Sequence, residues 1–300
     1  MGIPIKCNEL LVISLDQLHD GRITYTSKGP IVHIVHLRNG MCEKKFLLME
    51  PSFASPDFVL KINGGWKIGT KPNSTIHIWD IERLVQNYPI VWECQICCTE
   101  YTTEIRNHND NFPIVFLVEL SDGKIAMNGS ENSIDIRSID SGEIELSLLG
   151  HHEPITALVQ LPYGRLVSGS ETGIIKIWNL HDGVCETTLN GHQDKINSIV
   201  SLGFGKIASG SVEETIKIWD LENGKCERTL LSYHGALIAL RDDGRIAYGS
   251  KDFSIIICNI HTGVSERVLI GHTKYVSCLL QLTDGRIVSA SDDLTVRIWD

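Results

Sequence analysis

His272, Ser289 and Asp293 have the residue types of a hydrolase triad, in which a hydroxyl attacks, an imidazole takes its proton and a carboxylate orients the imidazole. A triad is defined by the geometry of one constellation, however, and not by residue types alone. The partial copies in this chain are His151 with Ser168 and His192 with Ser209. Because an active site needs one such set, we expect a structural role for all of them and predict no catalytic residue.

A cysteine cluster is the candidate metal site of the chain. Cys94 and Cys97 form a C-x-x-C pattern that Cys98 extends. A zinc site would need about two further ligands within tetrahedral reach, and only His108 is close in sequence. We therefore predict no bound metal, with a zinc site at this cluster as the alternative.

The segment 203–208 (GFGKIA) matches the G-x-G-x-x-A fingerprint of dinucleotide-binding proteins. That fingerprint works because a helix N-terminus follows the glycines and receives the pyrophosphate. Here the glycines lie between two segments with strand character, and no helical segment follows them. We predict that the chain binds no cofactor.

Composition excludes several classes of protein. The 300 residues include 27 Lys and Arg against 37 Asp and Glu, with a net charge of −10 and no basic run, which argues against nucleic-acid binding. No stretch approaches the roughly 18 consecutive apolar residues that span a bilayer, and residues 1–15 lack a secretory signal, so we expect no membrane partner. The nine cysteines are an odd number. We expect reduced thiols in an intracellular, cytoplasmic protein, with the nucleus as the alternative.

The chain repeats itself about every 41 residues. Seven times, a glycine precedes one large-residue position by 14 residues, and successive glycines are 44, 58, 41, 41, 39 and 41 residues apart. These glycines are Gly21, Gly65, Gly123, Gly164, Gly205, Gly244 and Gly285. Such self-similarity at a fixed period is the signature of a repeat architecture.

Within each unit the pattern is a series of short strands. Runs such as ITALVQL (155–161) and INSIVSL (196–202) are rich in β-branched residues and are followed by a glycine. A segment with period-2 alternation comes next, and a fourth strand such as GKCERTL (224–230) closes the unit. Four short strands per unit, without an amphipathic helix, predict an all-β fold, a seven-bladed β-propeller of four-stranded antiparallel blades.

We expect one domain over residues 1–300. Its units lie near 8–46, 57–84, 113–148, 149–189, 190–230, 231–269 and 270–300. The last unit is one strand short, so we predict that residues 2–7 complete it and thereby close the ring and remove two exposed sheet edges. An insertion over about 83–112 carries Tyr88 and Trp92, and two readings of it stay open: a partner-contacting loop, or an extra strand or packed cover.

The sequence resembles the WD-repeat (WD40) proteins over essentially its whole length. Gly-His opens three units, and each of these histidines precedes a tryptophan by 27 residues. The openings are Gly150-His151, Gly191-His192 and Gly271-His272, and the closing dipeptides are Trp79-Asp80, Trp178-Asn179, Trp219-Asp220 and Trp299-Asp300. Either dipeptide alone would be a weak signal, whereas their combined spacing is strong.

The resemblance implies a buried, hydrogen-bonded tie of His, Ser or Thr, Asp and Trp in each complete unit. The last unit has the full set: His272, Ser289 (with Ser291 as the other candidate), Asp293 and Trp299. The fifth has His192, Ser209 and Trp219 with Glu213 in place of Asp, and the fourth has His151, Ser168 and Trp178 with Thr172. The first three units lack most of the set, so we expect them to be more loosely tied.

The resemblance also implies a function: a non-catalytic scaffold that binds other proteins or peptides at the narrow end of the propeller, as a monomeric propeller within a larger complex. The candidate partner-binding residues are Tyr275, Lys195, Asn197, His234, Lys251, Glu171 and Asp292. We expect Tyr275, flanked by Lys195 and His234, to be the anchor, since tyrosine offers a large contact area at low entropic cost. The alternative is that these seven residues form an ordinary solvated rim that binds no partner.

Two other functions compete with a scaffold. A substrate receptor of a cullin-type ubiquitin ligase rests on fold analogy alone, and the adaptor-binding pattern Trp-Asp-x-Arg is not matched, because Glu82 and Glu222 stand where Arg would be. A propeller enzyme would need a single polar constellation lining the channel.

Overall fold

The structure is a computed structural model. It describes residues 3–6, 12–17, 21–27, 31–35, 42–48, 60–62, 65–70, 75–80, 93–96, 102–106, 116–139, 141–241 and 244–300. These residues form short β-strands in seven sheets, with one short 3-10 turn at Ser130–Asn132. The predicted all-β class is confirmed.

Four sheets consist of four strands that are consecutive in the chain, each paired antiparallel with the next. The third sheet contains β11 (Leu117–Glu119), β12 (Lys124–Asn128), β13 (Ile134–Ser138) and β14 (Ile144–Leu148). The fourth contains β15 (Ile155–Leu161), β16 (Arg165–Ser170), β17 (Ile175–Asn179) and β18 (Cys185–Leu189). The fifth contains β19 (Ile196–Gly203), β20 (Lys206–Ser211), β21 (Thr215–Asp220) and β22 (Lys225–Leu231). The sixth contains β23 (Tyr233–Ala239), β24 (Arg245–Ser250), β25 (Ile255–Asn259) and β26 (Ser265–Leu269).

The seventh sheet joins the two ends of the described chain. It contains β27 (Val276–Gln281), β28 (Ile287–Ser291) and β29 (Thr295–Trp299), and its fourth strand is β1 (Ile3–Lys6). β1 runs antiparallel to β29, with Ile3 opposite Ile298 and Lys6 opposite Thr295. The predicted pairing of residues 2–7 with the last strand is therefore present, over Ile3–Lys6.

The first two sheets show what the insertion contributes. The first sheet contains β2 (Val12–Gln17), β3 (Ile23–Ser27), β4 (Ile31–Val35) and β5 (Cys42–Leu48), and the second contains β6 (Leu60–Ile62), β7 (Gly65–Thr70), β8 (Thr75–Asp80) and β10 (Thr102–Arg106). β9 (Glu93–Ile96) adds to β5 as a parallel fifth strand of the first sheet. Of the two readings left open, the extra strand is the one found for these four residues.

One boundary of the insertion was wrong. β10 pairs antiparallel with β8, so Thr102–Arg106 is the fourth strand of the second sheet and not part of an insertion over 83–112. The sequence did not reveal this because β10 is separated from β8 by the extra strand β9. Tyr88 and Trp92, like Cys97, Cys98 and His108, lie outside the described residues.

The apolar core lies between neighbouring sheets rather than within one. Val167 and Ile177 of the fourth sheet share a buried cluster with Ile199, Ile207 and Trp219 of the fifth. Equivalent clusters join the third and fourth, fifth and sixth, sixth and seventh, and seventh and first sheets. A lone meander would leave these side chains in water, so the sheets stabilise one another as a propeller does.

Two turns in each sheet position the residues discussed below. The first turn joins the first and second strands, and the second turn joins the second and third strands. Because neighbouring strands are antiparallel, the two turns lie at opposite ends of the second strand. Among the described residues, no helix has the length and apolar character that crossing a membrane requires.

Candidate protein-interaction site

The seventh sheet contains the full hydrogen-bonded set. The Ser289 hydroxyl lies 2.7 Å from Nε2 of His272 and accepts a hydrogen bond from Nε1 of Trp299 at 2.8 Å. Nδ1 of His272 lies 2.8 Å from the Asp293 carboxylate, which also accepts the Thr273 backbone N–H at 3.0 Å. Because Ser289 is fully buried and both neighbours occupy its hydroxyl, it cannot reach a substrate carbonyl.

Ser291, the other candidate for this position, has a different role. Its hydroxyl donates to the Lys274 carbonyl at 3.1 Å and accepts the Asp293 N–H at 3.1 Å, so it fixes the second turn. The assignment of Ser289 to the tie follows from its contacts with both His272 and Trp299.

The electrostatics of this set favour a neutral histidine beside a carboxylate. Burial lowers the pKa of His272, although its hydrogen bond to Asp293 opposes that effect. Burial alone would raise the pKa of Asp293, but hydrogen bonds from Thr295, from the Thr273 N–H and from His272 lower it to about 2. At neutral pH the aspartate is therefore charged and the imidazole is neutral, which suits a fixed structural tie.

The fifth sheet builds the same set with a glutamate. His192 contacts Ser209 at 2.7 Å through Nε2 and Glu213 at 2.6 Å through Nδ1, and Trp219 donates to Ser209 at 2.8 Å. Glu213 also accepts the Gln193 N–H at 3.0 Å, as Asp293 does with Thr273. The departure from Asp at this position therefore leaves the tie complete.

The fourth sheet has the tie without a carboxylate. His151 contacts Ser168 at 2.7 Å, and Trp178 donates to the same hydroxyl at 2.8 Å. Thr172, at the position of Asp293, lies 3.2 Å from the Ser170 hydroxyl instead. Burial lowers the pKa of His151 to about 4, with the charges of Lys176 and His152 acting in the same direction.

The third sheet has its own buried polar set, which the sequence reading missed. Arg137 occupies the tryptophan position, is buried, donates to the Gly142 carbonyl at 3.0 Å and pairs with Asp135 at 3.5 Å. Ser147 donates to Asp135 at 2.8 Å. An acidic residue two positions before an arginine in the tryptophan register was the available signal. The expectation of a loose tie in this sheet overlooked that pairing.

The candidate partner-binding residues lie at the second-turn end of the sheets. There the N–H of a second-turn residue donates to the carbonyl of the segment that precedes the first strand of the same sheet. The pairs are Glu171 with Pro154 at 2.9 Å, Val212 with Lys195 at 3.0 Å, Lys251 with Ser232 at 3.3 Å and Asp292 with Tyr275 at 3.0 Å. Within each sheet, these bonds hold the second turn next to the segment that precedes the first strand, and most of the candidate residues lie in these two places. Asn197 is exposed on β19, two residues after Lys195.

Side chains also connect neighbouring sheets at this end. Lys195 pairs with Glu171 at 3.6 Å, and Lys251 pairs with Glu214 at 2.8 Å. The Tyr275 ring stacks on His234 with centroids 3.8 Å apart, and Phe253 meets Tyr275 edge to face at 5.0 Å. The expected neighbour His234 is thus in contact with Tyr275, whereas Lys195 contacts Glu171 instead.

Glu214 and Phe253 are members of this end that the sequence reading missed. They occupy the same second-turn position as Gly173 and Leu294, where the backbone has positive φ: 64° at Glu214 and 71° at Phe253. A bulky residue is an outlier in that conformation. We call the set of Glu171, Lys195, Glu214, His234, Lys251, Phe253, Tyr275 and Asp292 the Tyr275 face.

The described residues offer no other centre for chemistry of the kinds considered above. Within them, no group of three or more His, Cys, Asp or Glu side chains is placed to hold a metal ion. Cys94 lies in β9, while its partners in the C-x-x-C pattern fall outside the described residues. The segment 203–208 runs from the end of β19 through the turn at Phe204 and Gly205 into β20, so a strand follows its glycines rather than a helix.

Comparison with known proteins supports the repeat reading. Residues 142–179, 183–220 and 263–300 match the family described as WD domain, G-beta repeat. An uncharacterized WD repeat-containing protein of Schizosaccharomyces pombe is 42% identical over 66 residues, which cover 21% of this chain and 18% of that protein. The THO complex subunit 6 homolog of Danio rerio is 39% identical over 66 residues, which cover 22% of this chain and 20% of that protein.

Two further similarities concern a ribosomal protein and a solved structure. The small ribosomal subunit protein RACK1 of Schizosaccharomyces pombe is 43% identical over 58 residues, 17% of this chain and 18% of that protein. The chain thus aligns with about a fifth of the length of these relatives. The crystal structure of the computationally designed Ika8 protein has a TM-score of 0.68 and 23% identity, over 96% of this chain and 83% of that one, which shows the fold alone. Three segments of the chain therefore match the WD repeat, and each of them contains one of the His-Ser-Trp ties, in the fourth, fifth and seventh sheets.

Proposed function

We propose that this chain is a non-catalytic scaffold that binds a partner protein or peptide through the Tyr275 face. The observation that carries the proposal is the cluster of three rings at Tyr275, His234 and Phe253, which come from two neighbouring sheets. Tyr275 is 38% exposed, so the cluster is partly open to solvent although its rings are already in contact. Aromatic groups held in place before binding are typical anchors, because little entropy is lost when a partner covers them.

The charged pairs beside the rings support the same role. The Lys195 and Glu171 side chains are 44% and 48% exposed, and those of Lys251 and Glu214 are 56% and 47% exposed. Exposed ion pairs contribute little to stability. They can instead set the orientation and specificity of a partner whose charges complement them, as charged groups at the rim of an interface do.

We also propose that the seven sheets form one ring and one domain, so that this face is continuous. Contacts between first strands support this proposal: β15 meets β19, β19 meets β23, and β23 meets β27. β2 of the first sheet meets β27 of the seventh, and β11 meets both β6 and β15. The scaffold would then act as a single propeller within a larger complex.

The test is affinity capture with matched variants of the full chain. Phe253→Gly with Tyr275→Ser removes two rings, and glycine suits the positive φ at position 253, as Gly173 does at the same turn position. Val264→Ser is the control, since Val264 is exposed at the opposite end of the sixth sheet. We expect wild type and control to capture the same proteins and the double variant to lose them at an unchanged melting temperature. Capture of the same set by the double variant would contradict the proposal.

A further inference from the structure

Two neighbouring sheets expose an aromatic ring at the first turn, at the end of the sheets opposite the Tyr275 face. Tyr163, between β15 and β16, is 95% exposed, and Phe204, between β19 and β20, is fully exposed. Each directly precedes the fixed glycine of its unit. The residue at this position is Asp122 in the third sheet and Asp284 in the seventh.

The backbone at these turns does not call for an aromatic residue. Tyr163 and Gly164 have φ of 62° and 67°, and Phe204 and Gly205 have φ of 48° and 70°. Two consecutive residues with positive φ are the mark of a type I′ hairpin turn, which favours Asn-Gly. A bulky side chain is an outlier there. Since neither ring is buried, packing offers no compensation, and the choice of residue points to a function outside folding.

A groove of about 280 Å³ lies between the two turns. Its lining is largely apolar at Leu161, Pro162 and Leu221, with the two aromatic residues and the cations Arg165 and Lys206 also lining it. Small-molecule sites usually occupy about 300–1,000 Å³. The groove is therefore suited to one large apolar side chain of a peptide rather than to a whole cofactor.

Arg165, which lines the groove, differs from the cations at the same position in other sheets in its ion pairing. The residue directly after the fixed glycine is a cation in the third to seventh sheets, and in all of these except the fourth it forms an ion pair. The pairs are Lys124 with Asp122 and Glu145, Lys206 with Glu227, Arg245 with Glu266, and Arg286 with Asp284. Within residues 116–139, 141–241 and 244–300, Arg165 has no ion pair, although Glu186 occupies the position of Glu227. Its guanidinium is thus available to a carboxylate from outside.

We propose that this groove, which we call the Tyr163–Phe204 groove, binds a linear segment of a partner protein in which a large apolar side chain stands next to an acidic residue. The apolar side chain enters the groove between the two rings, and the acidic side chain pairs with Arg165. Rings of this kind provide contact area with few rotatable bonds, and a bidentate carboxylate contact fixes the direction of the peptide. Because the groove and the Tyr275 face lie at opposite ends of the sheets, both can be occupied at once.

The first experiment selects a random-peptide phage library on the immobilised full chain, with counter-selection on Tyr163→Asn with Phe204→Asn. Asparagine is the residue that these turns favour, so the double variant should melt at the same temperature as wild type or higher. We expect enrichment of peptides that carry an apolar residue next to Asp or Glu. Enrichment of basic peptides, or none, would overturn the proposal, as would a lower melting temperature of the double variant, since the rings would then serve the fold.

The second experiment measures the affinity of an enriched peptide, labelled with fluorescein, by fluorescence polarisation. We expect the asparagine double variant to bind at least about tenfold more weakly, as loss of a hot spot does. Arg165→Gln should weaken the acidic peptide by a similar factor but leave its amide-substituted version unchanged, which a merely structural role would not produce. Unchanged affinities in both variants would overturn the proposal. So would self-association of wild type that the double variant abolishes, or ring-dependent sedimentation with phosphatidylserine vesicles, since another occupant would then fill the groove.

Discussion

The fourth and seventh sheets carry the same buried histidine, serine and tryptophan, but only the seventh adds a carboxylate. His151 and His272 each lie 2.7 Å from their serine, and both tryptophans donate to that serine at 2.8 Å. Asp293 then fixes the seventh histidine from the other side, whereas Thr172 makes no such contact in the fourth. The comparison shows that the His-Ser-Trp part of the tie persists without its acidic member.

The same comparison separates what holds the fold from what is free to vary. The serine and tryptophan positions are buried in all three tied sheets. The second-turn position with positive φ holds Gly173, Glu214, Phe253 or Leu294 in successive sheets. Side chains at such turns can differ between sheets because the ties do not depend on them, and this variation creates the Tyr275 face.

The largest expected effect tests whether the His-Ser-Trp part of the tie contributes equally to stability in the fourth and fifth sheets. Trp178→Ala and Trp219→Ala should each lower the free energy of unfolding by about 3–5 kcal/mol, because each leaves a cavity and removes one of the two hydrogen bonds of a buried serine. Urea denaturation measures both, with Val264→Ser as a control expected to change stability by less than about 0.5 kcal/mol. A much smaller loss of unfolding free energy for Trp178→Ala than for Trp219→Ala would mean that the tie of the fourth sheet contributes less to stability than that of the fifth.

Acidification should distinguish the two histidines. The pKa of His151 falls from 6.5 to about 4 on folding, so the unfolded chain binds the extra proton first as the pH drops. Stability should therefore decrease between about pH 6.5 and pH 4, by up to about 3 kcal/mol, and this contribution should level off below pH 4. Urea denaturation of wild type and of His151→Asn across this range checks it. An equal pH dependence in the variant would contradict the assignment.

Removal of the carboxylate should matter only where the structure uses it. Asp293→Ala should cost about 2 kcal/mol, because the Thr273 N–H and the His272 ring lose a charged acceptor, whereas Thr172→Ala should cost less than about 0.5 kcal/mol. The Asp293 contribution should also be lost as the pH falls from its ordinary pKa of 3.8 towards 2, since the folded-state pKa is the lower one. Similar costs for the two variants would remove the distinction.

The smallest effect comes from transplanting the missing group. Thr172→Asp places a carboxylate at the position of Asp293 and should stabilise the chain by about 1 kcal/mol at neutral pH. The carboxylate should also raise the pKa of His151 and so narrow the pH range over which the stability of the chain decreases on acidification. Nuclear magnetic resonance titration of the His151 ring measures this shift directly. A pKa unchanged by the substitution would show that the two turns are not equivalent.

Much of the fold could be predicted from the sequence because it is repeated. The fixed glycine and the interval from histidine to tryptophan set the strand register, so Ser289, Trp299 and the pairing of β1 with β29 followed from unit length. β9 could not be predicted, because its parallel pairing with β5 joins segments that are distant in the chain. The contribution of Phe253 was missed for a similar reason: whether a turn residue reaches Tyr275 depends on the neighbouring sheet, which no single unit encodes.

Glu213 and Arg137 show a second limit of sequence reading. A glutamate in the aspartate position looks like a defect, yet its longer side chain reaches both the histidine and the next N–H. Arg137 occupies the position of a tryptophan and is also buried, and Asp135 supplies the charge that compensates its guanidinium. A sequence pattern compares residue types, whereas a buried charged or polar side chain can be stabilised by any partner of suitable chemistry.

Hydrogen–deuterium exchange of the full chain, with and without its captured partner protein, tests whether the partner binds the Tyr275 face. We expect slower exchange at the second turns of the fourth to seventh sheets and in the segments that precede their first strands, with unchanged exchange in the fourth strands β18, β22 and β26. Slower exchange confined to those outer strands, with the Tyr275 face unaffected, would contradict this expectation.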